Sequence, residues 1–174
     1  RAQAELFFRR IGITFAVYGD AQATERLIPF DIVPRILTRA EWDRLERGLK
    51  QRVQALNAFL ADIYGPQEIL RAGLIPAKLV LQNPAYCLHM VGRTPPGSVW
   101  VHIAGIDLVR TGPDEFFVLE DNARTPSGVS YMLENRETMM GMFPDLFSRI
   151  GVESVSNYPR RLARSLAACV PPAF

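Results

Sequence analysis

Three oxygen-bearing side chains lie close together in the stretch GIDLVRTGPDEFFVLEDNARTPSG, which runs from Gly105 to Gly128. Asp107 precedes a turn-like sequence, and Glu120 and Asn122 follow it within a second apolar run. Two carboxylates and an amide carbonyl form an all-oxygen donor set, which suits Mg²⁺ or Mn²⁺ better than Zn²⁺. Mg²⁺ held by few protein groups usually completes its shell with substrate phosphates and water. The pattern therefore favours a nucleotide-phosphate site over a structural ion.

The two apolar runs predict an antiparallel β-hairpin with its turn centred on Pro113-Asp114. That turn places Asp107 opposite Glu120, and Asn122, two residues further on, points to the same face. Directly opposed carboxylates have Cβ atoms roughly 5 Å apart and repel each other. Strand alternation predicts an apolar residue set on each face, with Ile103, Val109, Phe116 and Val118 beside the carboxylates and Ile106, Leu108, Phe117 and Leu119 opposite.

Because both faces are apolar, we expect the hairpin to be covered on both sides. Two facing carboxylates in such a place need a cation, or one of them must keep its proton. Two alternatives remain open at this point. Arginines such as Arg110 or Arg124 would neutralise the pair, and EDNARTPSG would then be only a strand-ending turn. A register slip of one residue would put the carboxylates on opposite faces.

The clearest element flanking this hairpin in sequence is a long helix. Thr38 is followed three residues later by Glu41, the signature of a capping box. Apolar residues then recur at helical spacing until Gly65-Pro66 stops the helix. They are Trp42, Leu45, Leu49, Val53, Leu56, Phe59, Leu60 and Ile63. We interpret the opposite face as a solvated surface, because it carries Arg44, Glu46, Arg47, Lys50 and Arg52.

Strand and helix patterns alternate along the rest of the chain. Strands are predicted over 11–19, 99–110 and 115–121, with a further extended stretch in ERLIPFDIVPRIL, whose prolines favour a sheet edge. Shorter helices are predicted over 66–72, 76–81, 130–143 and 159–169. Interleaved elements of this kind indicate an α/β class, with α+β as the alternative.

Composition excludes several classes of function. The formal net charge is +2 over 174 residues, and the arginines are dispersed without a basic run, which argues against nucleic-acid binding. Two distant cysteines give neither a zinc spacing nor a disulfide framework. No apolar run is long enough to span a membrane, and the first residues do not resemble a signal peptide. We therefore expect a cytoplasmic protein that does not associate with membranes.

The metal-site residues also carry a family resemblance. An aspartate on one strand, a Glu-x-Asn on the next and a short loop with Pro and Gly resemble the metal-binding hairpin of ATP-grasp ligases. Four stretches extend the likeness, and they resemble the circularly permuted ATP-grasp proteins of bacteria, relatives of glutathionylspermidine synthase. These stretches are ITFAVYGD, ERLIPFDIVPRI, HIAGIDLVRT and VLEDNARTPSGVSYMLENR. The resemblance covers nearly the whole chain, from about Gly12 to Pro159.

This resemblance implies a ligase that phosphorylates a carboxylate with ATP, after which an amine attacks the acyl phosphate. It implies Asp107, Glu120 and Asn122 as metal ligands, with Mg²⁺ (or Mn²⁺) and ATP as cofactors and an unidentified acid and amine as substrates. Arg124 is a candidate catalytic residue on a phosphate or acyl-phosphate oxygen, because its planar donor fork suits such groups. A salt bridge from Arg124 to Asp121 or Glu134 is the alternative.

Ser127 and Gly128 are candidate nucleotide-binding residues, because backbone N–H groups before a helix can face an anion. Helix capping by Ser127 or Ser130 is the alternative. The resemblance further implies phosphate-binding lysines on a separate lobe, and neither Lys50 nor Lys78 is a convincing phosphate ligand.

We therefore interpret residues 1–174 as a single domain or fragment, the metal-binding half of a permuted fold whose ATP-binding lobe continues C-terminally. Such a fragment is expected to expose an apolar docking surface and to self-associate. A binding or scaffold module without catalysis and a metal-dependent phosphohydrolase are the competing functions. The phosphohydrolase is disfavoured because no histidine or second carboxylate cluster accompanies the hairpin.

Overall fold

The computed structural model describes residues 31–170, the short stretches 14–16 and 25–27, and positions 3, 6, 7, 10 and 12. The chain divides into two compact units, one formed by 1–36 with 127–157 and the other by 37–126 with 158–174. Much of the strand predicted over 11–19 lies outside the described residues. Its central part, β1 (Thr14–Ala16), pairs antiparallel with β2 (Glu25–Leu27) in the first unit.

Helix α1 (Arg39–Ile63) dominates the second unit and confirms the predicted long helix. Its capping box is complete, since the Glu41 N–H donates to the Thr38 hydroxyl and the Thr38 N–H donates to the Glu41 carboxylate at 2.8 Å. Burial increases along the helix, from Trp42, which is 46% exposed, to Ile63, which is 4% exposed. The predicted apolar stripe therefore contributes most to the core at its C-terminal end.

The core of the second unit lies where α1 ends. Ile63, Tyr64, Leu70 and Val101 are buried there. Tyr64 is stacked between two aromatic rings, with centroids 4.9 Å from Tyr86 and 5.1 Å from Trp100. These contacts tie the segment that leads into the hairpin to α1.

Asn57 of α1 reinforces this attachment by binding backbone. Its Oδ1 accepts hydrogen bonds from the N–H groups of Trp100 at 2.6 Å and Val101 at 3.0 Å. Because an extended segment without a strand partner needs other acceptors for its N–H groups, this amide fixes the path of the chain before the hairpin. The strand predicted over 99–110 begins only at Gly105, so its first half is wrong.

Short elements complete the second unit. Helices α2 (Glu68–Arg71) and α3 (Ala77–Leu81) follow α1, and single 3₁₀ turns occupy Leu88–Met90 and Pro96–Ser98. Strands β3 (Gly105–Gly112) and β4 (Glu115–Asn122) form the predicted hairpin. The helix predicted over 159–169 occurs as Tyr158–Ala167, which is α6 in chain order.

In addition to β1 and β2, the first unit contains α4 (Val129–Met142) and α5 (Pro144–Ile150). Thr138 and Met139 of α4 are its buried residues in the described part of the unit. Helix α5 was not predicted, although Pro144 at its first turn and Gly151 at its end are standard helix boundary signals. No described helix is long and apolar enough to cross a membrane. The mixture of helices and antiparallel two-stranded sheets is consistent with the predicted α/β class.

Candidate functional site

The hairpin has the register that the sequence predicts at its open end. Gly105 pairs with Asn122, Ile106 with Asp121, and Asp107 with Glu120. At the turn, Gly112 pairs with Glu115, and Asp114 adopts a positive φ of 61°, which aspartate tolerates better than most residues. Asp107 and Glu120 therefore share one face, and Asn122 follows on it by strand alternation.

Two β-bulges interrupt the ladder between its ends. Leu108 pairs with Val118, so Leu119 is an extra residue in β4, and Thr111 is an extra residue in β3. An extra residue exchanges the two faces for everything beyond it. The predicted face assignment is therefore wrong for β4 residues before Leu119. Phe116 and Val118 lie on the same face as Arg110 and Leu108. Phe117 lies on the other face, with Val109.

One face of the hairpin turns toward α1. Ile106 shares a groove with α1 residues, and the side chains lining it are Trp42, Glu46, Leu49, Lys50, Val53, Gln54, Ala104 and Ile106. We call the opposite face, which carries Asp107, Val109, Phe117, Glu120 and Asn122, the outer face.

The outer face is open. Phe117 is 60% exposed and Val109 41%, and Leu119 in the bulge is 72% exposed. Asp107 and Glu120 are exposed as well. The prediction that the hairpin is covered on both sides is therefore wrong for this face. The two carboxylates face each other in contact with water, which lowers the cost of their repulsion.

Arginine does not neutralise this carboxylate pair within the described residues. Arg110 instead donates a hydrogen bond to the Glu41 carboxylate of α1 at 2.5 Å. Its guanidinium carbon also lies over the Phe116 ring, 5.3 Å from the ring centroid. In the described part of the chain, the side chain of neither Asp107 nor Glu120 takes part in an ion pair or hydrogen bond. Of the two alternatives left open by the sequence, the arginine cap and the register slip, neither describes this structure.

Asp121, which lies between the two β4 candidates, has its own partner. Arg52 of α1 donates from Nε at 2.7 Å and from Nη2 at 2.6 Å to the two carboxylate oxygens. These hydrogen bonds hold the pKa of Asp121 below its usual range and raise the pKa of Arg52. Arg44 likewise pairs with Asp114 at the turn. The charged face of α1 was predicted to be only a solvated surface. Through Arg44 and Arg52 it instead holds the hairpin at both ends.

Gly105 is a site residue that the sequence interpretation missed. A Cβ built on it would lie 2.9 Å from the Cβ of Pro126 and 3.5 Å from the Cβ of Asn122. The absence of a side chain therefore lets the loop after β4 fold back over the end of the hairpin, next to Asn122. The sequence did contain a signal for this contact. A glycine in a strand, such as Gly105, often marks a place where another part of the chain approaches closely.

The remaining candidates lie just after β4 and belong to two different units. Arg124 is exposed, and neither salt bridge considered for it occurs among the described residues: Asp121 is bound to Arg52, and Glu134 does not pair with Arg124. Gly128 is the N-cap of α4 with a φ of 90°, and no side chain caps the helix. Capping by Ser127 or Ser130 is therefore wrong, while nucleotide contacts by Ser127 and Gly128 stay a prediction.

The donor set on the outer face fits a hard divalent cation. Asp107 and Glu120 supply two opposed carboxylates without other partners in the described region, and Asn122 adds an amide oxygen on the same face. Over the described ranges there is no cluster of three His, Cys, Asp or Glu side chains that could hold a metal. A cation at this hairpin would therefore need further oxygen ligands from phosphate or water.

Comparison with protein families identifies the class to which this hairpin belongs. Residues 34–173 match the model of a family described as a circularly permuted ATP-grasp. The match covers most of the chain, and the chain belongs to this family.

Similar proteins are known from several bacteria. An uncharacterised protein of Synechocystis sp. is 50% identical over 171 residues, which span 98% of this chain and 35% of that protein. An uncharacterised protein of Mycobacterium tuberculosis is 51% identical over 155 residues, covering 89% of this chain and 27% of its own length. A protein of Frankia alni named "Putative glutamate--cysteine ligase 2-3" is 44% identical over 163 residues, or 93% of this chain and 18% of its own. The chain thus spans about a third or less of these relatives.

Proposed function

We propose that this chain supplies the metal-binding hairpin of an ATP-dependent carboxylate–amine ligase. The observation that carries the proposal is the direct opposition of Asp107 and Glu120 on an open hairpin face, in a chain of the circularly permuted ATP-grasp family. Both carboxylates lack protein partners in the described region, and Asn122 lies on their face. Side chains kept unpaired and open in this way are available to bind a cation.

In the proposed site Asp107, Glu120 and Asn122 would hold Mg²⁺ or Mn²⁺. The metal would supply neutralisation of the negative charge on the ATP phosphates during phosphoryl transfer. Arg124, exposed and unpaired among the described residues, would direct its donor fork at a phosphate oxygen. Ser127 and Gly128 belong to the other unit, and their proposed role is separate: their backbone N–H groups would be donors to an anion, since no side chain caps α4.

The proposed reaction has two steps. A carboxylate oxygen of the acid attacks the γ-phosphorus of ATP, the bond to ADP breaks, and an acyl phosphate forms. The amine then attacks the acyl carbon and loses a proton, and inorganic phosphate leaves with one of the original carboxylate oxygens. The products are an amide, ADP and phosphate.

Oxygen labelling of the full-length protein's reaction tests this proposal directly. With an ¹⁸O-labelled acid substrate, one ¹⁸O atom should appear in the released phosphate, together with one amide per ADP. A phosphohydrolase would instead incorporate ¹⁸O from labelled water and need no acid. A scaffold module would bind without ADP release under any substrate combination, and either of these results would contradict the ligase proposal.

Glutamate and cysteine are the first substrates to assay, because the Frankia alni relative carries a glutamate–cysteine ligase in its name. Other acids and amines follow as mixtures, with ADP release as the common measurement. A relation to glutathionylspermidine synthase and a cytoplasmic location both stay predictions.

A further inference from the structure

The Arg52–Asp121 ion pair occupies a special position in the hairpin. Asp121 stands between Glu120 and Asn122 in β4 and points to α1, whereas its two neighbours point to the outer face. A contact that fixes Asp121 against α1 therefore also fixes which way the two neighbouring residues point.

The geometry of this contact restricts orientation as well as distance. Two donors of one planar guanidinium bind the two oxygens of one carboxylate, at 2.7 and 2.6 Å. Such two-pronged pairs add directional specificity that a single hydrogen bond lacks. The Asp121 side chain is 21% exposed, compared with 59% for Asp114 in the corresponding pair at the turn.

The position of the Arg52–Asp121 pair next to the bulge at Leu119 suits it to hold the strand register. An extra residue immediately before Glu120 leaves the local pairing open to a shift, and a shift of one residue would turn Glu120 toward α1. The Arg52–Asp121 pair lies on the candidate ligands' side of the bulge. It therefore opposes such a shift at the place where the ligands would be lost.

We propose, on the basis of the metal role assigned above to Asp107, Glu120 and Asn122, that Arg52 is a positioning residue for these ligands. It acts through Asp121, and neither residue contacts the metal. Loss of a side chain that orients metal ligands typically weakens metal binding by about 10–100-fold. Removing either partner should therefore raise the dissociation constant for the metal at least about tenfold.

The test measures Mn²⁺ binding to the full-length protein in the presence of ATP. The electron paramagnetic resonance signal of free Mn²⁺ reports this binding, and no turnover is required. Arg52→Ala and Asp121→Ala should each weaken binding to a similar degree, and the double variant should be no weaker than either alone. Arg52→Lys should restore binding only in part, because an ammonium group lacks the planar fork. If the alanine variants fold poorly, Arg52→Gln, at a side chain 44% exposed, provides the same comparison.

The Arg44–Asp114 pair is the matched control, because it joins the same helix to the same hairpin at the turn. Arg44→Ala and Asp114→Asn should leave Mn²⁺ affinity unchanged; asparagine is chosen at position 114 because it tolerates the positive φ there. Equal loss of Mn²⁺ affinity in the Arg52–Asp121 and Arg44–Asp114 variants would show that any attachment of the hairpin to α1 supports the site. That result would overturn the specific positioning role of Arg52.

Three further results would contradict this inference, and the first two distinguish its failure from that of the proposed function. Wild-type Mn²⁺ affinity in Arg52→Ala, with binding lost in Glu120→Gln, would overturn the positioning role and leave the metal site intact. Unchanged binding in Glu120→Gln would overturn both. Lost binding in Asp121→Ala with normal binding in Arg52→Ala would identify Asp121 as a ligand itself and also contradict the inference.

Discussion

Asp107 stands directly opposite Glu120 across β3 and β4, and in the described part of the protein neither carboxylate has a cationic partner. Three other hairpin charges, those of Asp114, Asp121 and Arg110, are each paired with a side chain of α1. The hairpin thus directs its paired charges to the helix and its unpaired carboxylates outward. This arrangement leaves both carboxylates accessible to a ligand on the outer face, which the first prediction tests.

Replacing Glu120 by glutamine tests the carboxylate pair in the full-length protein. Glu120→Gln keeps the shape of the side chain and removes one charge, so Mg²⁺-dependent ATP turnover should collapse. Thermal unfolding without metal should show slightly increased stability, by a few tenths of a kcal/mol, because like-charge repulsion is relieved. Glu115→Gln, at the other end of β4, is the control and should leave the Mg²⁺ requirement unchanged. Turnover near wild type in Glu120→Gln would exclude the pair as metal ligands.

Gly105 tests the close approach beside Asn122. Gly105→Ala places a Cβ 2.9 Å from that of Pro126, so the loop after β4 must shift. We expect a loss of about 1–3 kcal/mol in the free energy of unfolding, the usual cost of overpacking, and weaker Mn²⁺ binding. Gly48→Ala in α1 is the control, because its Cβ meets nothing within 4 Å, and helix propensity predicts a gain of about 0.5–1 kcal/mol. Equal stability of the two variants in denaturant titrations would show that the contact with Pro126 is unimportant.

The sequence predicts the carboxylate opposition and fails on what surrounds it, for a physical reason. Residue counting from the Pro113-Asp114 turn gives the correct pairing of Asp107 with Glu120 because the two bulges each add one residue, one in β3 and one in β4, and so cancel. Neither bulge leaves a mark in the sequence, because an extra residue does not alter the period-two pattern by which the faces were assigned. Phe116 and Phe117 consequently exchange their predicted faces.

The ion pairs between α1 and the hairpin could not be predicted from the sequence either. Arg44 and Arg52 lie 70 and 69 residues from their partners, and helical spacing alone makes them a solvated stripe. The Thr38–Glu41 capping box was predictable because both partners lie within one turn, so no tertiary information is needed. Helix α5 is also locally encoded, because Pro144 at its start and Gly151 at its end are signals that need no tertiary information.

The capping box gives a pH-dependent contribution to stability. The hydrogen bond from the Thr38 backbone N–H, aided by the Thr38 hydroxyl and by Arg110, holds the pKa of Glu41 below its usual range. The folded state therefore binds the proton less readily than the unfolded state. The resulting stabilisation is complete above the unfolded-state pKa of about 4.3 and is lost as pH falls through the lower folded-state pKa.

Glu41→Gln should accordingly be less stable than wild type at pH 7, and the difference should shrink as the pH is lowered below about 4. Thr38→Ala should lose about 1 kcal/mol at pH 7, the usual cost of removing an N-cap side chain. Urea titrations at several pH values provide the measurement, and Asp43→Asn, an exposed helix pair with Arg39, is the control. A Glu41→Gln difference that stays constant from pH 7 to acid would contradict the assigned cause.

Residues 1–174 by themselves should bind Mg-ATP weakly. The hairpin offers metal ligands and Arg124 is one candidate donor to phosphate, but the two lysines of the chain are poorly placed to add to it. Lys50 is bound to Glu46 on α1 at 2.9 Å, and Lys78 lies exposed on the short helix α3. Mg²⁺ held by two carboxylates and an amide, without phosphate held in place, should also bind weakly.

Calorimetric titration of the isolated 1–174 chain with Mg-ATP measures this affinity, after circular dichroism has established that the chain is folded. We expect no saturation at micromolar nucleotide and no ADP release. The same chain should self-associate in sedimentation experiments, because two large apolar side chains of β4, Phe117 and Leu119, are 60% and 72% exposed. Phe117→Ser combined with Leu119→Ser should reduce that association, while Leu74→Ser, at an equally exposed leucine outside the hairpin, should not. Micromolar Mg-ATP binding would instead mean that these residues already contain a complete nucleotide site, because the hairpin alone offers too few ligands to achieve it.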